Sequence, residues 1–180
     1  MKIALIILLS INLYANIKQD MLNLYQGKKY EEVCNIGFNN FENYRNDEEY
    51  VSLYAFACLN ADYIDRLSVP TTTLKLAKES RSNAAYFSII LMQKKLLYHA
   101  LLDSYDISSL NLPTTDYVLS KVFDLYTKMK NNEQKEFYIF EDENDKQLKY
   151  KLYILKDGKI DKMVIEEFYN SISIKKHIYW

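Results

Sequence analysis

The chain is poor in the residues that catalytic and metal sites use most often. Its 180 residues include two histidines, His99 and His177, and two cysteines, Cys34 and Cys58. The histidines lie far apart in the sequence, and neither has metal-ligand spacing to a neighbour. A glycine-rich phosphate loop, a G-x-S-x-G elbow and a Cys-x-x-Cys pair are also missing, so nucleotide use, serine hydrolysis and thioredoxin-like exchange lack their usual motifs. We therefore expect no catalytic residues, no metal and no cofactor.

Glycine and proline are also scarce, and the net charge is small. Three glycines and two prolines punctuate the chain, and this scarcity favours long helices. The formal net charge is −1, without the basic excess that nucleic-acid binding requires. We therefore expect no nucleic-acid partner.

The first residues have the pattern of an export signal. Lys2 precedes an apolar run over residues 3–13, and the small residue Ala15 precedes the polar Asn16. This order predicts a signal peptide over residues 1–15 that is cleaved between Ala15 and Asn16, with an uncleaved anchor or a buried first helix as the alternatives. The run is shorter than the roughly twenty residues that span a bilayer. We therefore expect a periplasmic or secreted protein with no membrane span after signal removal.

Residues 27–65 predict a helical hairpin. The first arm, Tyr30–Phe41, carries its apolar residues on one helix face, and the arm after Asn46 repeats this pattern. Asp47 is the predicted N-cap of the second arm, because two acidic residues follow it. The two arms should therefore pack against each other.

The two cysteines lie at matching positions in this hairpin. Cys34 and Cys58 are each twelve residues from Asn46, and Gly37 lets the arms approach closely, so we predict a disulfide between them. The alternative is two buried free thiols, because cysteine is among the most buried residue types. A disulfide is expected in an oxidising compartment, which agrees with export.

The run LYQGKKYEEV at residues 24–33 resembles the join between the two helices of a tetratricopeptide repeat. The resemblance covers residues 17–44 and implies a helical scaffold that binds other proteins or peptides. An internal echo adds to it, since residues 69–78 and 112–121 both contain Pro-Thr-Thr and align at an offset of 43. This spacing predicts stacked helical hairpins.

The remaining pattern predicts two further helices and then a small sheet. Helices are expected over residues 83–105 and 116–129, and from residue 136 the apolar period becomes two. An Asp157-Gly158 type I′ turn would pair Leu152 with Met163 and Tyr150 with Ile165. The predicted fold class is α+β, mainly α: tetratricopeptide-like stacked antiparallel helical hairpins over residues 16–132, followed by an antiparallel β-meander over residues 133–180.

Three polar features have competing interpretations. His99 has Asp103 one helical turn on, which suits either base catalysis or a structural pair. His177 is expected in solvent on an edge strand. The acidic run at residues 141–145 lacks the ligand spacing of an EF-hand and is expected to be a solvated hairpin loop.

These observations favour an exported, non-catalytic interaction or scaffold protein of the bacterial cell envelope. Its partner would be a protein or peptide of that envelope, bound by exposed tyrosines, with Tyr50, Tyr54 and Tyr86 as the candidate interaction surface. One alternative is a protein that binds a small molecule or an envelope polymer at the junction of helices and sheet. The other is an enzyme of unknown class that uses His99 and Asp103.

Overall fold

The computed structural model describes residues 17–129 and 135–180. Helices make up most of the first stretch, and a four-stranded antiparallel sheet makes up most of the second. The fold is therefore α+β and mainly α, which confirms the predicted class. The predicted signal peptide, its cleavage position after Ala15 and the predicted domain boundary after residue 132 lie outside the described residues and stay predictions.

The described residues group into two compact units, one up to Ala85 and the other from Tyr86. The helices of the N-terminal unit are α1 (17–26), α2 (Tyr30–Asn39), α3 (Phe41–Tyr44), α4 (Glu48–Asn60), a 3₁₀ turn (Ile64–Leu67) and α5 (Ser68–Thr73). Helix α6 (Lys78–Asp103) begins in this unit and ends in the next.

Local chemistry sets the ends of these helices. The Asp47 side chain accepts a hydrogen bond from the Tyr50 backbone N–H at 3.1 Å, so Asp47 caps α4 as predicted. Lys28 and Asp62 adopt left-handed φ angles of 59° and 62° just beyond α1 and α4. This conformation commonly ends a helix, because it turns the chain back toward the last carbonyl groups.

Helices α2 and α4 pack closely at Gly37. A Cβ atom built on Gly37 would lie 2.5 Å from Cδ2 of Tyr54, nearer than side-chain carbons approach each other. One turn before this contact, the Cα atoms of Cys34 and Cys58 are 4.7 Å apart, and their Sγ atoms are joined at 2.03 Å. The absence of a side chain at Gly37 therefore lets the helices approach where the sequence predicts it.

The C-terminal unit contains the rest of α6, helix α7 and the sheet. Its elements are α7 (Val118–Thr127), β1 (Phe137–Glu141), β2 (Leu148–Asp157), β3 (Ile160–Tyr169) and β4 (Ile172–Tyr179). The strands lie in chain order, each antiparallel to the next. The inner face of the sheet packs on α7 and the residue before it: the Tyr138 and Tyr126 rings lie 5.2 Å apart, and the hydroxyls of Tyr117 and Tyr179 are 3.3 Å apart.

The predicted register of the β2–β3 hairpin is wrong by two residues. Asp157 pairs with Ile160, so the loop is Gly158-Lys159, and Leu152 pairs with Ile165 where the prediction gave Met163. Gly158 has a φ of +69°, and a two-residue loop accepts glycine at its first position without strain. Because side chains alternate with a period of two, the shift leaves every residue on its predicted face.

Candidate functional site

Two of the three tyrosines that were predicted to form the interaction surface are buried, so the prediction is wrong for them. Tyr50 and Tyr54 are 0% and 1% exposed, and their hydroxyls donate to backbone carbonyls, with Arg66 O the acceptor of Tyr54. Burial raises the pKa of both hydroxyls, that of Tyr54 to about 12. A tyrosine with a carbonyl partner is a good core residue, because its ring fills volume while its hydroxyl stays bonded. Tyr86 is half-buried, with its hydroxyl 2.8 Å from an Asp116 oxygen.

His99 and Asp103 lie on the exposed side of α6. Nε2 of His99 is 3.7 Å from Oδ2 of Asp103, and the two side chains are 50% and 65% exposed. This separation exceeds hydrogen-bond distance. The imidazole instead stacks on the Tyr105 ring, with centroids 4.5 Å apart. Among the residues that the structure describes, no second titratable group lies within hydrogen-bond distance of His99, and the enzyme alternative stays a hypothesis.

His177 is buried, which contradicts the expected position in solvent. It is 1% exposed, and its Nε2 lies 3.0 Å from Oε1 of Glu167. The β4 residue His177 pairs with Ile165 on the inner face of the sheet, where the Tyr117 and Tyr179 rings flank it. Strand alternation decides this burial, because the odd-numbered residues at this end of β4 point toward α7.

The acidic loop at residues 141–145 is organised around Asp142, which is not solvated as predicted but 7% exposed. Its carboxylate accepts hydrogen bonds from the Tyr150 hydroxyl and from the backbone N–H groups of Asn144 and Asp145. These bonds, that of Tyr150 above all, lower the pKa of Asp142. The residue therefore holds the loop against β2.

A cavity of about 200 Å³ lies beside this loop. Asp142, Lys121 and Asp124 contribute charged groups to its wall. This volume is below the range of about 300–1,000 Å³ that is typical of ligand pockets. Within the described ranges, no three histidine, cysteine or acidic side chains group closely enough to hold a metal ion.

The disulfide lies in the core of the N-terminal unit. Cys34 and Cys58 are both fully buried, and the Arg66 guanidinium covers Cys34 with an Nη1–Sγ distance of 3.3 Å. Thiol exchange needs access to a sulfur atom. The bond is therefore placed for stability, and it is compatible with an oxidising compartment.

The C-terminal unit leaves large apolar side chains exposed on the side of the sheet opposite α7, which we call the outer face. The strand register arranges its side chains in four rows across the strands. The rows are Leu155 and Lys162 with the adjacent Trp180; Phe137, Tyr153, Val164 and Ile178; Ile139, Lys151, Glu166 and Lys176; and Glu141, Lys149, Phe168 and Ser173.

Four large apolar side chains of the outer face remain exposed. Phe137, Ile139, Leu155 and Trp180 are 43%, 59%, 41% and 49% exposed, whereas Val164, which shares a row with Phe137, is fully buried. An antiparallel sheet with one face in water normally carries polar residues on that face. The outer face instead mixes charged residues with exposed apolar ones, and exposed apolar groups of this kind are typical of a face that another structure covers.

Lysines lie among these apolar groups. The Lys151 ammonium lies over the rings of Phe137 and Tyr153, at 4.6 and 5.3 Å from their centroids, and Lys162 lies 5.4 Å from the Trp180 ring. Such cation–π contacts hold lysine stems flat against the sheet. The outer face therefore combines a broad apolar area with positive charge.

The Glu166 carboxylate of this face is engaged within the sheet. It accepts a hydrogen bond from the Ser173 hydroxyl at 2.6 Å and lies 3.7 Å from the Lys176 ammonium. These contacts, the Ser173 bond first, lower the pKa of Glu166. Glu166 therefore stays ionised and paired, and the positive charge of its surroundings is partly neutralised.

Sequence reasoning missed this face, although a signal for it was present. Phe137, Ile139, Tyr153 and Leu155 alternate with the inner residues and lie on the same side of the strands as the lysines. The run Met163-Val164-Ile165 also predicts a strand with apolar residues on both faces.

Comparison with models of known protein families, with curated proteins and with solved structures yields no match. Among the described residues, no helix combines the length and the apolar character that crossing a membrane requires. The function must therefore be argued from the geometry of the chain itself.

Proposed function

We propose that this protein is an exported, non-catalytic interaction or scaffold protein of the bacterial cell envelope, and that it binds a protein partner through the outer face of its C-terminal sheet. The uncovered apolar surface of this face carries the proposal. The buried disulfide supports export. The helical hairpins, which we propose to be tetratricopeptide-like, would serve as the scaffold.

The composition of the outer face favours a protein as the binding partner over a charged polymer. The Glu141 and Lys149 side chains lie 2.8 Å apart, and Lys162 is 2.6 Å from an Asp157 oxygen, so much of the charge is neutralised within the chain. Binding to a polyanion depends mainly on unpaired cations, whereas protein interfaces use aromatic and aliphatic anchors with a polar rim. Phe137, Ile139 and Trp180 are suited to be such anchors.

The experiment compares three baits in an envelope fraction prepared without reducing agent. They are the wild-type chain, the outer-face variant Phe137→Ser/Ile139→Ser, and the control Phe38→Ser, which removes an apolar side chain of similar exposure, 53%, from the N-terminal unit. We expect the wild type and the control to recover the same protein and the outer-face variant to lose it. Equal recovery by all three folded baits, or by none, would contradict the proposal.

A further inference from the structure

We infer that the Cys34–Cys58 disulfide is a redox-responsive bond, in which the Arg66 guanidinium stabilises Cys34 as a thiolate when the bond is reduced. The disulfide and the arginine both lie within the N-terminal unit. Neither the outer face of the sheet nor its partner takes part in this reaction.

Several contacts hold the Arg66 guanidinium over Cys34. Its Nη1 lies 3.3 Å from Sγ of Cys34 and donates a hydrogen bond to Oδ1 of Asn35 at 2.8 Å. Its Cζ lies 4.7 Å from the centroid of the Phe38 ring and 4.8 Å from that of the Tyr63 ring. An arginine stacked on aromatic rings is held by cation–π attraction, and its planar group is preorganised for a further partner. The cation is therefore already beside one sulfur atom before any reduction occurs.

The oxidised sulfur is a poor partner for this positive charge. In a disulfide, Sγ of Cys34 carries no charge and is only a weak hydrogen-bond acceptor. Within the described residues, the contacts of the Arg66 guanidinium are all to neutral groups. A hydrogen bond from a guanidinium to an anion is about twice as strong as one between neutral groups. Arg66 therefore gains a stronger bond when Cys34 becomes a thiolate.

The two sulfur atoms differ in this contact. Both cysteines are fully buried, and burial by itself disfavours the charged form of either thiol. Arg66 contacts Cys34, whereas Cys58 receives no contact from a cation in the part of the chain that the structure describes. Because a neighbouring cation favours a thiolate, Cys34 becomes the more acidic thiol and the better leaving group.

A carboxylate on the same helix opposes this effect. Glu31 lies one helical turn before Cys34 and accepts a hydrogen bond from the Tyr63 hydroxyl at 2.6 Å. A negative charge nearby disfavours a thiolate, but Arg66 is in direct contact with the sulfur atom, so the attraction prevails. Three further titratable side chains of the surrounding elements are exposed or hydrogen-bonded elsewhere: Asp65, Tyr25 and Tyr54.

Reduction by a dithiol follows a defined sequence. A thiolate of the reductant attacks Sγ of Cys58, the S–S bond breaks, and Cys34 leaves as a thiolate beside Arg66. The second thiol of the reductant attacks the mixed disulfide and releases Cys58, and the reductant becomes a disulfide. Two electrons pass to the protein, one proton of the reductant stays with Cys58, and the other is released to solvent. Because a proton is released, a higher pH favours the reduced protein.

Burial of the sulfur atoms slows this exchange but does not set its equilibrium. Attack on Cys58 needs a local opening that admits the reductant. The equilibrium depends instead on the free energies of the oxidised and reduced folded proteins, and Arg66 lowers that of the reduced protein. The disulfide therefore stabilises the fold and still responds to the thiols of its surroundings.

The first test measures the equilibrium constant for reduction of the full chain in mixtures of reduced and oxidised dithiothreitol. Acid quenching, alkylation in denaturant and mass spectrometry give the reduced fraction. The variant Arg66→Met removes the charge but keeps a long side chain, and the matched control Arg45→Met removes an arginine that pairs with Glu42. At about pH 9 we expect the equilibrium constant of Arg66→Met to be about tenfold lower than those of the wild type and the control. At about pH 6, where the thiols are protonated, the three should agree within about twofold.

The second test compares the two thiols without changing Arg66. Cys58→Ser leaves Cys34 as the single thiol, and Cys34→Ser leaves Cys58. Carbon-13 labels on the cysteine Cβ atoms report ionisation during an NMR titration, which needs no access of a reagent to the core. Because both positions are equally buried, we expect the acid dissociation constant of Cys34 to exceed that of Cys58 by about tenfold.

Each contrary result overturns the inference. Equal reduction of the wild type and Arg66→Met at about pH 9, or a difference of the same size at both pH values, would mean that Arg66 does not stabilise a thiolate. A Cys34 thiol no more acidic than that of Cys58 would exclude the inference even where Arg66→Met fails to fold. Loss of the near-ultraviolet circular dichroism of the wild type on reduction would leave the disulfide as a structural bond only.

Discussion

Replacing Gly37 with alanine tests the central contact of the N-terminal unit. The new methyl group would lie 2.5–2.7 Å from three atoms of the Tyr54 side chain. Tyr54 is buried and its hydroxyl is bonded to Arg66 O at 3.3 Å, so its ring has little freedom to withdraw. Helices α2 and α4 must therefore separate, and the disulfide beside this contact resists the separation.

The magnitude follows from two opposing effects. Overpacking a core costs about 1–3 kcal/mol, whereas alanine is favoured over glycine inside a helix by up to about 1 kcal/mol. We expect Gly37→Ala to lower the free energy of unfolding by about 1–2 kcal/mol. For a chain of this length the melting temperature should fall by about 2–8 °C.

Urea unfolding followed by circular dichroism measures this change, with an unaltered m-value as the check that the mechanism is the same. Gly27→Ala is the matched control, because its Cβ would lie 3.4 Å from the Leu24 carbonyl oxygen, an ordinary contact. Tyr54→Leu in the Gly37→Ala background should recover part of the loss through coupling between the sites. A Gly37→Ala protein as stable as the wild type would refute the close-packing argument.

Three further predictions concern the disulfide and the polar groups. Cys34→Ser/Cys58→Ser should lower the free energy of unfolding, measured with urea, by about 3 kcal/mol, because the disulfide closes a loop of about 25 residues. The unreduced wild type should yield no reactive thiols when it is unfolded. Three backbone N–H groups, that of Leu76 foremost, hold the pKa of Glu48 at about 2. The contribution of Glu48 to the free energy of unfolding is therefore complete above pH about 4.5 and is lost as the pH falls toward 2. Glu48→Gln should make the free energy of unfolding depend less on pH in that window, and an unchanged pH dependence would argue against this role. Tyr150→Phe should cost about 2 kcal/mol in urea unfolding, because the buried Asp142 carboxylate loses a donor, and a loss below about 0.5 kcal/mol would contradict the role of that bond.

Local features of the fold were predictable because neighbouring residues carry them. The cap at Asp47, the apolar faces of α2 and α4, and the pairing of Cys34 with Cys58 depend on helix periodicity and on the matched spacing about Asn46. The presence of a β2–β3 hairpin and the face of each of its residues follow from a period of two. These elements are therefore determined by the sequence.

Tertiary structure alone decided burial and register. Tyr50 and Tyr54 could have lined a groove, but the close approach at Gly37 leaves them no path to solvent. The two-residue difference in hairpin register depends on which loop position takes the positive φ of Gly158, and the pattern of apolar residues is the same for either register. Whether a given side of the sheet is covered depends on where helices pack, since α7 can bury only one face. For this reason the outer face, with its exposed Phe137 and Ile139, emerges from the assembled sheet and not from any single strand.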